Sequence, residues 1–293
     1  MAIYQECNSS SKGKANTGAK EQCLEGIMIL PVLTEMDFKF DSLADAKDIT
    51  KWEAAIAAKK MWPLYVPEEI TTANTEDTYF EGKNEQYLTA EGKKITTYTS
   101  MLGLCSHAAL ATFRGAKMRQ LEFTEDGKVK GLMNDDGEVY GQAVKLNVAK
   151  RLDPTADRPA STLVTTNYLD YKELEEDGAV FVPDFRASEL YGIFDVHLQL
   201  VSATATNIKV KALDGCAGGG GAITSFVSGD FIVRNAAGAV QSVTFTAADT
   251  DGVYTLTGTA FATGYTVELD GVVTTAGGMS YEDVKPLTIT VTP

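Results

Sequence analysis

Between residues 193 and 200 apolar and polar side chains change places along the chain. Ile193 leads into Phe194, Val196, Leu198 and Leu200 on one side, with Asp195, His197 and Gln199 on the other. That two-residue period is the mark of a strand covering a core with one face. Ile208-Lys209-Val210-Lys211 alternates in the same way and is expected to close the same sheet. Strand-like material is also expected over 26–33. Between 118 and 152 the unit Asp-Gly-x-Val-x-Gly occurs at Asp126 and again at Asp136. Asp-Gly supplies the positive-φ residues of a tight turn, so two successive hairpins are predicted. These turns lack the EF-hand spacing and its bidentate glutamate, which argues against a Ca²⁺ loop. Helical spacing is best over 51–61. There Thr50 and Glu53 stand at the interval of a capping box, Trp52 and Ile56 mark an apolar stripe, and Pro63 is expected to end the helix. Trp52 and Trp62 read as core anchors.

Two polar stretches show no period. Residues 8–20 are expected to form an arm, and residues 66–78 a long loop whose simplest use is as a contact arm. Residues 153–190 contain Asp153-Pro154, Arg158-Pro159 and the acidic run Glu173, Glu175, Glu176 and Asp177, and read as a loop with a short helical turn. The sharpest punctuation lies at 214–221, where Gly218, Gly219, Gly220 and Gly221 are consecutive. Such a run is expected to act as a flexible hinge. It lacks the following helix and Lys-Ser/Thr of a phosphate-binding loop. Beyond it, short segments rich in Val, Thr, Phe and Tyr near 223–227, 230–234, 240–246, 253–258, 265–269 and 286–292 alternate with glycine turns, the pattern of a β-sandwich. The expected fold is therefore mainly β. A mixed, β-rich first domain (1–214) precedes a glycine linker (215–221) and a β-sandwich (222–293).

Charge divides the chain along the same line. The whole carries 26 Lys+Arg against 40 Asp+Glu, a net charge of −14, which argues against a sequence-independent grip on nucleic acid and against an anionic membrane surface. Residues 211–293 hold only three basic and eight acidic groups but half of the 26 glycines, so most of the charged residues of both signs belong to the first part.

Candidate chemistry is sparse. With only His107 and His197, little material exists for histidine acid–base work or metal binding. His107 sits in an apolar stretch and His197 on the polar side of its strand. Nucleophile-elbow, Walker, dinucleotide, H-E-x-x-H and C-x-x-C patterns are all missing. No catalytic, cofactor-binding or metal-ligating residue is assigned, no cofactor is expected, and the chain is not expected to be an enzyme. Cys7, Cys23, Cys105 and Cys216 are scattered, and reduced, isolated thiols are expected, with Cys7–Cys23 the least implausible bridge. The first residues carry neither a basic nor an apolar leader region, and the apolar run 27–33 is too short to span a bilayer. A chain made and kept in the cytosol is the expectation.

Asp251-Gly252-Val253-Tyr254 resembles the tyrosine corner of immunoglobulin-like domains, with Leu256 standing where antibody domains place the second cysteine. The last segment is thus similar to a disulfide-free Ig-like module, and its aromatic residues Phe226, Phe231, Phe245, Tyr254, Phe261, Tyr265 and Tyr281 are expected mostly in the core. In domain order and composition the chain resembles tailed-bacteriophage virion proteins, most of all tail tube subunits bearing a C-terminal Ig-like domain. That resemblance implies that residues 1–214 form a β-sandwich assembly domain with a flanking helix, and that the chain is a homo-oligomer, a ring expected to be hexameric, stacked around a conduit through which DNA passes without specific binding. It also implies other virion proteins as partners, no membrane, and a place in the virion after assembly in the host cytoplasm. Glu173, Glu175, Glu176 and Asp177 are candidates for an acidic lining. Other readings are a head decoration, head–tail connector or fibre-anchoring protein, or a surface adhesin or carbohydrate-binding protein.

Overall fold

The computed structural model describes residues 7–8, 26–83, 85–170, 172–215 and 218–291. It is mainly β, and it divides into two compact units: Met1–Ala55 with Lys59–Leu190, and Tyr191–Pro293 with Ile56–Ala58.

The first unit contains β1 (Cys7–Asn8), β2 (Met28–Thr34), β3 (Met61–Pro63), β4 (Glu69–Thr72), β5 (Thr78–Glu81), β6 (Gln86–Ala90), β7 (Ile95–Ser100), β8 (Lys117–Thr124), β9 (Val129–Met133), β10 (Val139–Tyr140), β11 (Gln142–Val148), β12 (Thr162–Tyr168) and β13 (Gly178–Phe181). Its helices are α1 (Leu43–Lys47), α2 (Ile49–Ala57), α3 (Leu104–Ala111) and α4 (Lys172–Asp177). The main sheet runs β1-β13-β9-β8-β11-β12-β7-β4, with β10 beside β9 and the pair β2–β3 joined to β8. Arg119 and Gln120 of β8 pair with both β11 and β2, while Glu122 and Phe123 pair with both β9 and β2. One edge of β8 is therefore shared between two branches, and the sheet forks there.

The two Asp-Gly turns form as predicted, with Gly127 at φ 77° and Gly137 at φ 83° and antiparallel β8–β9 and β9–β10 pairs around them. After the second turn the chain crosses over at Gly141, where a Cβ would lie 2.6 Å from the backbone of Gln120. Only glycine lets β10 and β11 pass that close to β8. Thr162–Tyr168 and Gly178–Phe181, expected as loop, are strands, and Leu104–Ala111 is a helix.

Trp52 is fully buried on α2, its ring 5.1 Å from Phe40, 5.3 Å from Phe123 and 5.6 Å from Phe185, and its indole N–H donates to Ala46 O at 2.8 Å. The helix differs from the expected 51–61. Asp48 Oδ1 accepts from the Thr50 backbone N–H at 2.9 Å, so Asp48 rather than Thr50 caps its start. Lys59, at φ 57°, turns the chain before Pro63, which lies instead in β3. Trp62 is half-buried against Phe113.

The second unit contains β14 (Ile193–Ala203), β15 (Asn207–Asp214), β16 (Phe231–Arg234), β17 (Val240–Gln241), β18 (Thr244–Thr246), β19 (Val253–Thr257), β20 (Thr266–Leu269), β21 (Val273–Thr274), β22 (Ser280–Asp283) and β23 (Leu287–Thr288). They form two sheets, β18-β19-β15-β14-β22-β21 and β17-β16-β20-β23, around one core. Residues 223–227 are irregular, and β22 is a strand that the glycine-rich pattern hid.

The boundary expected at 215–221 is corrected. β15 pairs with β19 and β14 with β22, so 193–214 belongs to the second sandwich, and the division falls at Leu190/Tyr191. Nor is the described part of the glycine run an open hinge. The Asp214 N–H donates to Gly221 O at 3.0 Å and the Gly220 N–H to Asp214 O at 3.0 Å, folding the loop back onto β15. A Cβ at Gly220 would collide with Asp214 Oδ1, so glycine here serves close approach rather than freedom.

The tyrosine at 254 bonds back to the backbone, but not over the short span of a tyrosine corner. It is fully buried, its hydroxyl donates to Ile223 O at 2.8 Å and accepts from the Phe226 N–H at 3.2 Å. Those partners lie 28–31 residues upstream rather than a few. Leu256 is also fully buried in the core of the second unit.

Two expected outcomes follow. A fragment ending at residue 190 unfolds cooperatively in urea, whereas one ending at 214 carries β14 and β15 without their sheet partners and aggregates; light scattering distinguishes them. Gly141→Ala lowers the stability of the first unit by about 1–3 kcal/mol through overpacking against β8, read from the shift in the denaturation midpoint.

Candidate assembly surface

The 66–78 segment, expected as a loop, is the root of a two-stranded ribbon. β4 pairs with β7 at the end of the main sheet. The ladder continues outward: the Ala73 N–H donates to Ile95 O (2.9 Å), the Thr75 N–H to Lys93 O (2.9 Å), and the Lys93 N–H to Thr75 Oγ1 (2.8 Å). Asp77 Oδ1 accepts from the Gly92 N–H, and a Cβ at Gly92 would clash with Thr75 O. Beyond this root β5 and β6 pair only with each other, and every residue of both strands is exposed.

What the ribbon carries is unusual for an exposed element. Tyr79 stands opposite Leu88, and Phe80 opposite Tyr87. Successive residues of a strand point to opposite faces, so each face of the ribbon holds one apolar cross-strand pair. These four side chains are 48–62% exposed, and with Tyr65 and Val66 they put six of the 18 exposed large hydrophobics among the described residues into residues 65–88. A two-stranded ribbon has no core of its own and is marginally stable alone, so apolar residues on both faces call for cover from another surface. Thr78-Tyr79-Phe80-Glu81 and Gln86-Tyr87-Leu88 each set two apolar residues side by side, so the two-residue period that marks a half-buried strand is absent from the sequence there.

Other candidates fall elsewhere. The arm at 8–20 lies outside the described residues apart from Asn8, as does a Cys7–Cys23 bridge. Cys105 is disulfide-bonded, and no free cysteine occurs among the described residues, which overturns the expectation of isolated thiols. Spacing along the chain says nothing of which sulfurs meet in space. His107 is half-buried with Nδ1 2.9 Å from Thr162 Oγ1. His197 is half-buried on β14. Of the acidic run, Glu173 bridges Arg119 (3.4 Å) and accepts from the Ala143 N–H (2.9 Å), and Asp177 accepts from the Tyr140 hydroxyl (3.0 Å); Glu175 and Glu176 face solvent. Phe226, Phe231, Tyr254, Phe261 and Tyr281 are buried in the core of the second unit, with Phe245 and Tyr265 packed against it. Among the described residues no group of three or more metal-ligating side chains converges, and no helix is long and apolar enough to cross a membrane.

The interior of the first unit holds one polar network. The Tyr168 hydroxyl donates to Glu122 Oε1 at 2.5 Å, Gln120 Nε2 donates to the same oxygen (3.0 Å) and to the Tyr98 hydroxyl (2.7 Å), and Thr166 Oγ1 donates to the Tyr98 hydroxyl at 3.0 Å. Burial, reinforced by the Glu122 charge, pushes the Tyr98 phenol up to about 12 and the Tyr168 phenol higher still. Burial followed by Asp177 raises Tyr140 to about 12, and burial raises Tyr254 to about 12.

No protein-family model matches the chain, and neither a curated protein nor a solved structure matches it.

The raised phenols set an alkaline limit. The folded values exceed the unfolded value near 10, so their stabilisation is full below about pH 10 and is lost as pH rises through about 12, where only the unfolded chain gains by ionising. Phenolate absorbance near 295 nm is expected to rise in two steps, the second coinciding with loss of tertiary circular dichroism.

Proposed function

We propose that this chain is a structural subunit of a bacteriophage virion, most like a tail tube protein, assembling into rings around a DNA conduit. The observation that carries the reading is the ribbon that leaves the sheet edge at β4–β7 with apolar pairs on both faces. A subunit whose neighbours supply the cover has a use for such an element; a protein that works as a monomer pays an aggregation risk for it. The second unit, a separate sparsely charged sandwich, fits a module carried outward on each subunit. An acidic chain suits a conduit because like charge keeps DNA from adhering. The disulfide at Cys105 suits a particle that leaves its host for an oxidising medium. The carbohydrate-binding alternative is weakened, because the aromatic rings that would stack on sugars are built into the core.

Negative-stain imaging with sizing chromatography tests the proposal. The wild type is expected as rings or tubes, and the double variant Phe80→Ser/Tyr87→Ser as a monomer. Both residues are exposed, so at a dilution where the wild type is also monomeric the variant's stability should stay within about 0.5 kcal/mol of it, while the assembled wild type melts higher. A wild type that stays monomeric at high concentration and binds glycans overturns the reading.

A further inference from the structure

A recess of about 830 Å³ opens on the first unit beside the ribbon's root, within the roughly 300–1,000 Å³ of clefts that hold a ligand or peptide group. Five cations line it: Lys93, Lys94, Arg114, Lys145 and Lys172. Only two acids share the lining, and both are engaged. Glu91 is ion-paired to Lys172, and Asp170 accepts from the Lys172 backbone N–H at 2.9 Å. Lys94 sits 4.0 Å over the Tyr168 ring, which holds its charge at the floor. Lys145 is exposed on β11, and Arg114 donates through Nε to Val148 O at 2.7 Å, with its guanidinium edge on the recess. On a chain of net charge −14, a cavity with an excess of three positive charges stands out.

The ribbon has the opposite balance. Beyond its root, residues 78–90 carry Glu81 and Glu85 against Lys83, an excess of one negative charge. None of residues 78–90 lines the recess of its own chain. We infer that the recess receives the acidic, aromatic ribbon of a second copy of this chain. This rests on the assembly reading above and names the two surfaces that meet. Charge sets the register and the apolar pairs supply the buried area, the usual division between steering groups and anchors at an interface. The cover that both ribbon faces need, and acids to face a recess with a surplus of cations, come from one contact.

Two charge-reversed proteins test it, one with Lys93→Glu and Lys145→Glu in the recess, the other with Glu81→Lys and Glu85→Lys on the ribbon. Each places like charges in the contact, so each alone is expected to associate at least tenfold more weakly than the wild type, with an unchanged circular dichroism spectrum and, at a dilution where all three are monomeric, an unchanged thermal midpoint. Mixed one to one, they restore both contacts, because each ribbon then meets a recess of opposite sign, and assembly should return in alternating copies. If the wild type assembles and either reversed protein assembles equally well alone, or if the folded mixture fails to assemble, the ribbon–recess pairing is wrong while the assembly reading stands. A wild type that never leaves the monomer overturns both.

Discussion

The backbone of β8 has two edges and three partners, and the first unit is arranged around that fact. A strand can satisfy one neighbour on each side at a given residue. β8 therefore pairs with β2 along one edge and divides the other between β11 and β9. The division forces the chain to cross from one branch to the other between β10 and β11, within contact of β8, and the missing side chain of Gly141 makes room for it. The alternate residues of β8 then serve two interiors. Leu121 and Phe123 face the Trp52 side, while Met118 joins the cluster around Tyr98 and Val144, next to the polar network of Gln120 and Glu122.

Much of this was readable before any coordinates, wherever the signal was local. Two Asp-Gly turns, the alternation at 193–200, the burial of Trp52 and Tyr254 and the mainly-β class all follow from residues within a few positions of each other. The misreadings share a cause: the deciding partner was far away in sequence. Thr162–Tyr168 lies in a region punctuated by Pro154 and Pro159, and its strand character comes from sitting between β7 and β11. The strands at 193–214 looked like the end of one domain because a glycine run followed them. Glycine serves freedom in a linker and close approach in a packed loop, and its letter is the same in both. Cys105 teaches the same lesson for sulfur.

The ribbon marks the limit of that local legibility from the other direction. Its pairing is local, yet nothing within reach along the chain explains why both faces are apolar. In the main sheet an apolar residue is matched by a core, and in the ribbon it is matched by nothing the described residues supply. Apolar pairs on both ribbon faces and a recess with a surplus of cations are complementary features, and the assembly of identical subunits proposed above would answer both without a second protein.

The parallel pair in the second unit bears on how that module responds to force. Residues 193–196 of β14 run alongside 280–283 of β22 in the same direction. Tension applied between the entry at Tyr191 and the chain beyond β23 would draw β14 toward its start and β22 toward its end. The backbone hydrogen bonds between them are then loaded in shear, all at once, rather than peeled one at a time. Together with the antiparallel hold of β15 on the other side of β14, this makes the entrance to the sandwich its mechanical clamp.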